Sequence, residues 1–128
     1  MNNIFGIGTD IVDISRIKKI FNNNKKFKKR VFSLKEIKYC ESKTDKIASY
    51  SKRFAAKEAF AKALGTGISK GISFNEISII NNKNGAPFIE LLGKTKTIAK
   101  NITRKNNKIY LSLSDEKKYA LAMVVISY

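Results

Sequence analysis

The sequence predicts an α+β fold, a single small domain (residues 1–128) in which one long helix packs on an antiparallel sheet. Three observations predict it. The alanine-rich run Arg53-Phe54-Ala55-Ala56-Lys57-Glu58-Ala59-Phe60-Ala61-Lys62-Ala63-Leu64-Gly65-Thr66-Gly67 reads as a helix stopped by glycine. Apolar runs near both ends of the chain, Ile4 to Val12 and Leu121 to Ile126, read as strands. Between them, Lys83-Asn84-Gly85 separates two further β-rich segments as a tight turn.

Residues 3–13 read as a buried strand whose glycines allow close backbone approach. A short helix follows from Ser15 to Asn22, with Asp13-Ile14-Ser15 supplying a cap. The polar Asn22-Asn23-Asn24 turn leads into a basic block, Lys25 to Arg30. Ser33-Leu34-Lys35-Glu36 has the capping-box pattern, in which serine and glutamate satisfy each other's backbone donors, and opens a helix to Ser42. The long helix runs from Asp45 to Leu64, and its alanines at 55, 56, 59, 61 and 63 let a neighbouring backbone come close. Phe74 to Ile80 and Pro87 to Leu92 form the strands of a hairpin, with the only proline at the first position of its strand. Residues 93–104 read as an amphipathic helix. A final hairpin pairs Ile109–Ser114 with Tyr119–Ser127, and the Leu121–Ile126 run is expected to be fully buried.

A chain of 128 residues with 43% hydrophobic content is long enough for a genuine core. No apolar run approaches the length of a membrane span, and no secretory signal is read at the N-terminus. The lone Cys40 excludes an internal disulfide and is neutral to a reducing cytosol, and a cytoplasmic protein is expected. The complete absence of histidine removes histidine-based triads and most zinc sites. Any metal must therefore be held by oxygen, which favours magnesium or manganese. The net charge of +16 points to polyanionic or acidic partners, although the abundance of asparagine and isoleucine marks part of the lysine excess as compositional.

Two acids stand out. Asp10 lies within the apolar N-terminal run, where a carboxylate is costly to bury without a partner. Glu58 precedes Lys62 by four residues, so Phe54, Glu58 and Lys62 share one helix stripe. Two such acids beside a lysine suggest a metal and phosphate site. The plainer alternatives are an i,i+4 surface ion pair for Glu58 and Lys62, and a helix-capping role for Asp10.

Gly6-Ile7-Gly8-Thr9-Asp10-Ile11-Val12, taken with Phe54 to Gly65, resembles the two signature motifs of the holo-[acyl-carrier-protein] synthases. These are the small, bacterial-type branch of the 4′-phosphopantetheinyl transferases, and the likeness extends over essentially the whole chain. The resemblance implies that family's fold and a homotrimer with active sites at subunit boundaries. It implies transfer of 4′-phosphopantetheine from coenzyme A to a serine of apo acyl carrier protein, with release of adenosine 3′,5′-bisphosphate, in support of fatty acid biosynthesis. Asp10 and Glu58 would hold Mg2+, and Lys62 would place a fixed positive charge at the coenzyme diphosphate. Phe54, Ala61, Gly65, Asn84, Gly85, Pro87, Ser114 and Asp115 would border coenzyme A, the last five from another subunit, while Lys43 and Lys46 would approach its 3′-phosphate. Ala86 stands where the family often carries lysine or arginine, and Asp115 where histidine is common. An acidic carrier protein would dock on Arg16, Ile20, Lys26, Phe27 and Arg30.

Two other classes of function compete. Net charge and the basic block would suit a nucleic-acid-binding module, but no aromatic platform, zinc motif or recognition helix accompanies them, so no nucleic-acid partner is expected. A magnesium-dependent phosphodiesterase could use the same two acids on another substrate without any carrier protein.

Overall fold

The computed structural model describes residues 3–104 and 106–128 of the chain. Its elements run β1 (Ile4–Asp13), α1 (Ile14–Asn23), α2 (Phe27–Val31), α3 (Leu34–Glu41), α4 (Lys46–Leu64), β2 (Ile77–Asn81), β3 (Pro87–Leu91), α5 (Gly93–Thr103), β4 (Lys108–Asp115) and β5 (Tyr119–Ser127). A three-stranded antiparallel sheet has the order β1-β5-β4, and β2-β3 form a separate hairpin.

The long helix α4 lies across β1 and β5, and the contact is made by small residues. A Cβ on Gly6 would overlap the Ala63 carbonyl, and one on Gly8 would overlap the Ala59 carbonyl. Glycine in the strand and alanine in the helix thus bring two backbones to van der Waals distance. Because successive strand residues face opposite sides, Gly8 and Val12 turn toward the helix while Ile7, Thr9 and Ile11 turn away. The helix starts at Asp45, whose side chain accepts from the Ala48 amide, and ends at Gly65 in the left-handed conformation (φ 90°). The helix α3 begins with the complete Ser33/Glu36 capping box.

Several expectations need correction. The Leu121–Ile126 run is buried on one face only: Ala122, Val124 and Ile126 pack under α4, whereas Leu121 and Met123 are 44% and 46% exposed. Residues 74–76 form a 3-10 turn, and the strand expected from Phe74 starts at Ile77. Glu76 in that turn is recruited elsewhere, since its carboxylate accepts from the Lys94 and Thr95 amides at the start of α5, a favourable place for a negative charge. The basic block contains a short helix, α2, that its composition had concealed. Around it gathers a second core of Val31, Phe32, Cys40 and Tyr50, edged by Phe21, Phe27, Phe54 and Phe74.

Candidate active site

The seam between β1 and α4 assembles the acids. Asp10 continues the face of Gly6 and Gly8, so the strand delivers its carboxylate to the helix. There the Asp10 Oδ1 meets the Lys62 ammonium at 3.0 Å. Lys62 also donates to the Thr9 carbonyl at 2.9 Å, so the lysine is anchored to two consecutive residues of β1. Glu58, one turn earlier, has no ion pair within 4 Å among the described residues, and the helical surface pair with Lys62 is not formed. Burial and then the negative charge of Asp10 push the Glu58 carboxyl above its ordinary value, against a smaller opposing pull from Lys62. The seam therefore holds two mutually repelling carboxylates and one cation.

That donor set fits a hard divalent cation. It offers carboxylate oxygen alone, and the repulsion that raises Glu58 is what a bound cation would relieve. Among the described residues no cluster of three or more acidic, histidine or cysteine side chains surrounds a common point. A metal that keeps several waters and takes one or two carboxylates matches two donors better than a fully caged one does.

The expected coenzyme positions fall into two groups. Phe54 is half-buried and stacks on Phe74 with ring centroids 5.4 Å apart. Ala61 is wholly buried, so its side chain cannot border a ligand, which corrects that expectation; its carbonyl instead receives the amides of Gly65, Thr66 and Gly67 and shapes the exposed Gly65 turn. The second group sits across the sheet. Asn84 and Gly85 form an exposed turn in which Asn82 Oδ1 accepts from the Asn84 and Ala86 amides. Gly85 and Pro87 line a 330 Å³ cleft with Tyr39, Lys52, Arg53, Asn81 and β4 residues. Ser114 and Asp115 end β4, where the Asp115 carboxylate pairs with Lys52 at 3.4 Å. Lys43 rests on the Tyr39 ring and Lys46 pairs with Glu41, so both are engaged within the protomer.

Lys62 and Lys52 leave α4 toward different strands. Lys62 reaches β1 and Lys52 reaches β4, which lie on either side of β5. Two strand spacings, about 10 Å, separate β1 from β4.

Of the expected docking residues, Arg16, Lys26 and Arg30 are exposed, whereas Ile20 packs against the main core. Phe27 is half-buried in the aromatic cluster, edge-on to Phe21 at 5.5 Å and to Phe32 at 6.2 Å.

Three residues beside the site escaped the sequence reading as charged core residues. Lys57 is fully buried, pairs with Glu36 at 2.6 Å and donates to the Phe74 and Ile77 carbonyls. Its removal from water pulls its pKa down to about 8 despite the Glu36 charge. Arg53 is 2% exposed and bonds Ser49 and Asn81. The readable signal was the density of small and apolar residues around α4: a helix buried on nearly all sides must bury its charges too.

A profile of the 4′-phosphopantetheinyl transferase superfamily matches residues 6–124. The chain is 47% identical to a holo-[acyl-carrier-protein] synthase of Ruminiclostridium cellulolyticum over 94% of its own length and 90% of that protein. It is similar to the crystal structure of a holo-[acyl-carrier-protein] synthase from Neisseria meningitidis, with TM-score 0.88 and 36% identity over 98% of this chain and 99% of that one. The Helicobacter pylori holo-[acyl-carrier-protein] synthase in complex with coenzyme A matches with TM-score 0.77 and 37% identity, over 94% and 99% of the two chains.

Proposed function

Since the chain belongs to the 4′-phosphopantetheinyl transferase superfamily, we infer that it is a holo-[acyl-carrier-protein] synthase. It transfers 4′-phosphopantetheine from coenzyme A to a serine of apo acyl carrier protein in support of fatty acid biosynthesis. The observation that carries this reading is the convergence of Asp10, Glu58 and Lys62 on one strand–helix seam.

The serine oxygen attacks the phosphorus bearing the pantetheine arm. That P–O bond forms as the bond to the bridging diphosphate oxygen breaks, and adenosine 3′,5′-bisphosphate leaves with the electron pair. Glu58, beside Asp10 and Lys62 in the seam, takes the hydroxyl proton. Lys62, held by Asp10 and the Thr9 carbonyl, keeps a fixed positive charge against the diphosphate without having to reorient. Asp10 and Glu58 would hold Mg2+, which supplies further neutralisation of charge on the diphosphate when bound.

The active form is proposed to be a homotrimer. Likeness to the holo-[acyl-carrier-protein] synthases, which implies active sites at subunit boundaries, supports it. So does the outer face of the β1-β5-β4 sheet, where Ile7, Ile11 and Tyr110 are 55%, 60% and 55% exposed. The partner is an acidic carrier protein meeting Arg16, Lys26 and Arg30, and the cytoplasm is the proposed compartment.

Incubation with apo carrier protein, coenzyme A and magnesium, followed by intact mass, tests the reading. A phosphopantetheine-sized increase that is lost on chelation supports it. Consumption of coenzyme A with unmodified carrier protein would point instead to a phosphodiesterase.

A further inference from the structure

We infer that Arg53 is a positioning residue that holds the β2–β3 turn in shape through Asn81, and so sets affinity for coenzyme A. The inference rests on the reading that this turn meets the coenzyme.

The geometry is a relay of directional bonds. One guanidinium nitrogen of Arg53 donates to the Asn81 Oδ1 at 2.8 Å, and the other donates to the Ser49 carbonyl and hydroxyl at 3.3 and 3.2 Å. The guanidinium plane lies over the Tyr39 ring, 4.2 Å from its centroid. With its oxygen occupied, the Asn81 amide nitrogen points the other way and donates to the Gly85 carbonyl at 2.9 Å. Gly85 has a positive φ of 84°, a conformation that glycine adopts readily, so the Asn81 bond selects it among several open to the turn. Arg53, on the rigid α4, thereby fixes which way Asn81 faces, and Asn81 fixes the turn. Without Arg53 the amide could rotate and offer its oxygen toward Gly85, breaking the bond.

Stability alone is a poor reason for this arrangement. Arg53 is 2% exposed, its Nε has no partner, and among the described residues no carboxylate lies within 4 Å of it. Glu36, the nearby buried acid, is engaged by Lys57. A buried cation without a counter-charge carries a desolvation cost that no ion pair offsets. What an apolar residue cannot supply is the oriented fork that sets the amide. Arg53 and Asn81 also line the 330 Å³ cleft with Gly85 and Pro87, so the relay ends at the surface where the turn is read.

The test compares wild type with Arg53→Met, Arg53→Lys, Asn81→Leu and the Arg53→Met/Asn81→Leu double variant. Coenzyme A binding by titration, both Michaelis constants, turnover and thermal midpoint are measured for each. Each variant is expected to raise the Kd and KM for coenzyme A about tenfold, the scale of one lost hydrogen bond. Turnover at saturating coenzyme A, the KM for carrier protein and the midpoint should change little, and the double variant should be no worse than either single one. Arg53→Lys should not rescue, because it keeps the charge and loses the fork. Asn81→Leu leaves Arg53 in place, so it decides the matter even if Arg53→Met folds poorly. Normal coenzyme A affinity in Asn81→Leu, or additive effects in the double variant, overturns the relay. So do losses in turnover, both Michaelis constants and midpoint that move together. Wild-type protein that binds no coenzyme A overturns the underlying reading instead.

Discussion

Glu58 stands one turn before Lys62, yet its charge is opposed from two directions, by burial and by Asp10. Its pKa is raised above 4.5, so the folded protein binds this proton more tightly than the unfolded chain does. Ionised Glu58 therefore penalises the fold above its raised pKa, and the penalty disappears once pH falls below the unfolded value. Glu58→Gln should accordingly melt at or above the wild-type temperature at neutral pH without divalent metal. Magnesium should raise the wild-type midpoint and leave the variant's unchanged, since ligand binding stabilises only the form that binds. Transfer activity should fall about 10²–10⁴-fold, the range for loss of a catalytic base. A folded Glu58→Gln protein with near-normal turnover would remove Glu58 from the site. Asp10 and Glu58 were legible as awkward acids because one interrupts an apolar strand and the other lies in an alanine helix. The partner of Lys62 was not legible: sequence spacing pairs it with Glu58, whereas the strand brings Asp10 to it from 52 residues away. Arg53 and Lys57 were illegible for a related reason, since local sequence does not show which face of a helix is covered by distant strands.

At the scale of elements, the approach of β1 to α4 sets where Asp10 stands. Gly8→Ala places a methyl group against the Ala59 carbonyl, with backbone on both sides and no flexible side chain to yield. The expected destabilisation is about 1–3 kcal/mol, typical of overpacking, measured as a lower urea midpoint with unchanged slope. An unchanged midpoint would contradict the close packing. The start of α3 was readable from Ser33 and Glu36 because capping chemistry is local. The helix α2 was not, because it has five residues and no side-chain cap at Lys26. It is held by tertiary contacts: Lys28 bridges to Glu41, which also accepts from Tyr50 at 2.7 Å and pairs with Lys46. The Tyr50 hydroxyl first, and then Lys28, draw the Glu41 carboxyl from 4.5 down to about 2. A depressed carboxyl stabilises the fold above its unfolded pKa and loses that contribution as pH falls through the folded one. The midpoint advantage of wild type over Glu41→Gln should thus be complete near about pH 6 and shrink as pH drops from 4.5 toward about 2. An advantage independent of pH over that interval would exclude an ionic role for Glu41.

For the whole molecule, the outward face of the sheet and the positive surface both concern partners. Leu121–Ile126 reads as doubly buried because both of its faces are apolar; within one chain only the α4 side is covered. Hydrophobicity marks a face as wanting cover and leaves open whether the same chain or another copy provides it. The charge of +16 is legible directly, but its useful part is local. Arg16→Glu should raise the KM for carrier protein and cost about 1–3 kcal/mol in kcat/KM, because reversal adds repulsion to lost attraction. Coenzyme A binding measured without carrier protein should be unchanged, and added salt should bring wild type toward the variant as exposed charges are screened. A variant with weakened coenzyme A binding and normal carrier response would place the docking face elsewhere. Group transfer between two substrates fixes a stoichiometry that can be measured. In one reaction containing coenzyme A, apo carrier protein and magnesium, the adenosine 3′,5′-bisphosphate released and the carrier protein modified are counted together by chromatography and intact mass. Equal amounts are expected at every time point, with no bisphosphate when carrier protein is omitted. Bisphosphate released without carrier protein, or in excess of modified carrier, would contradict group transfer.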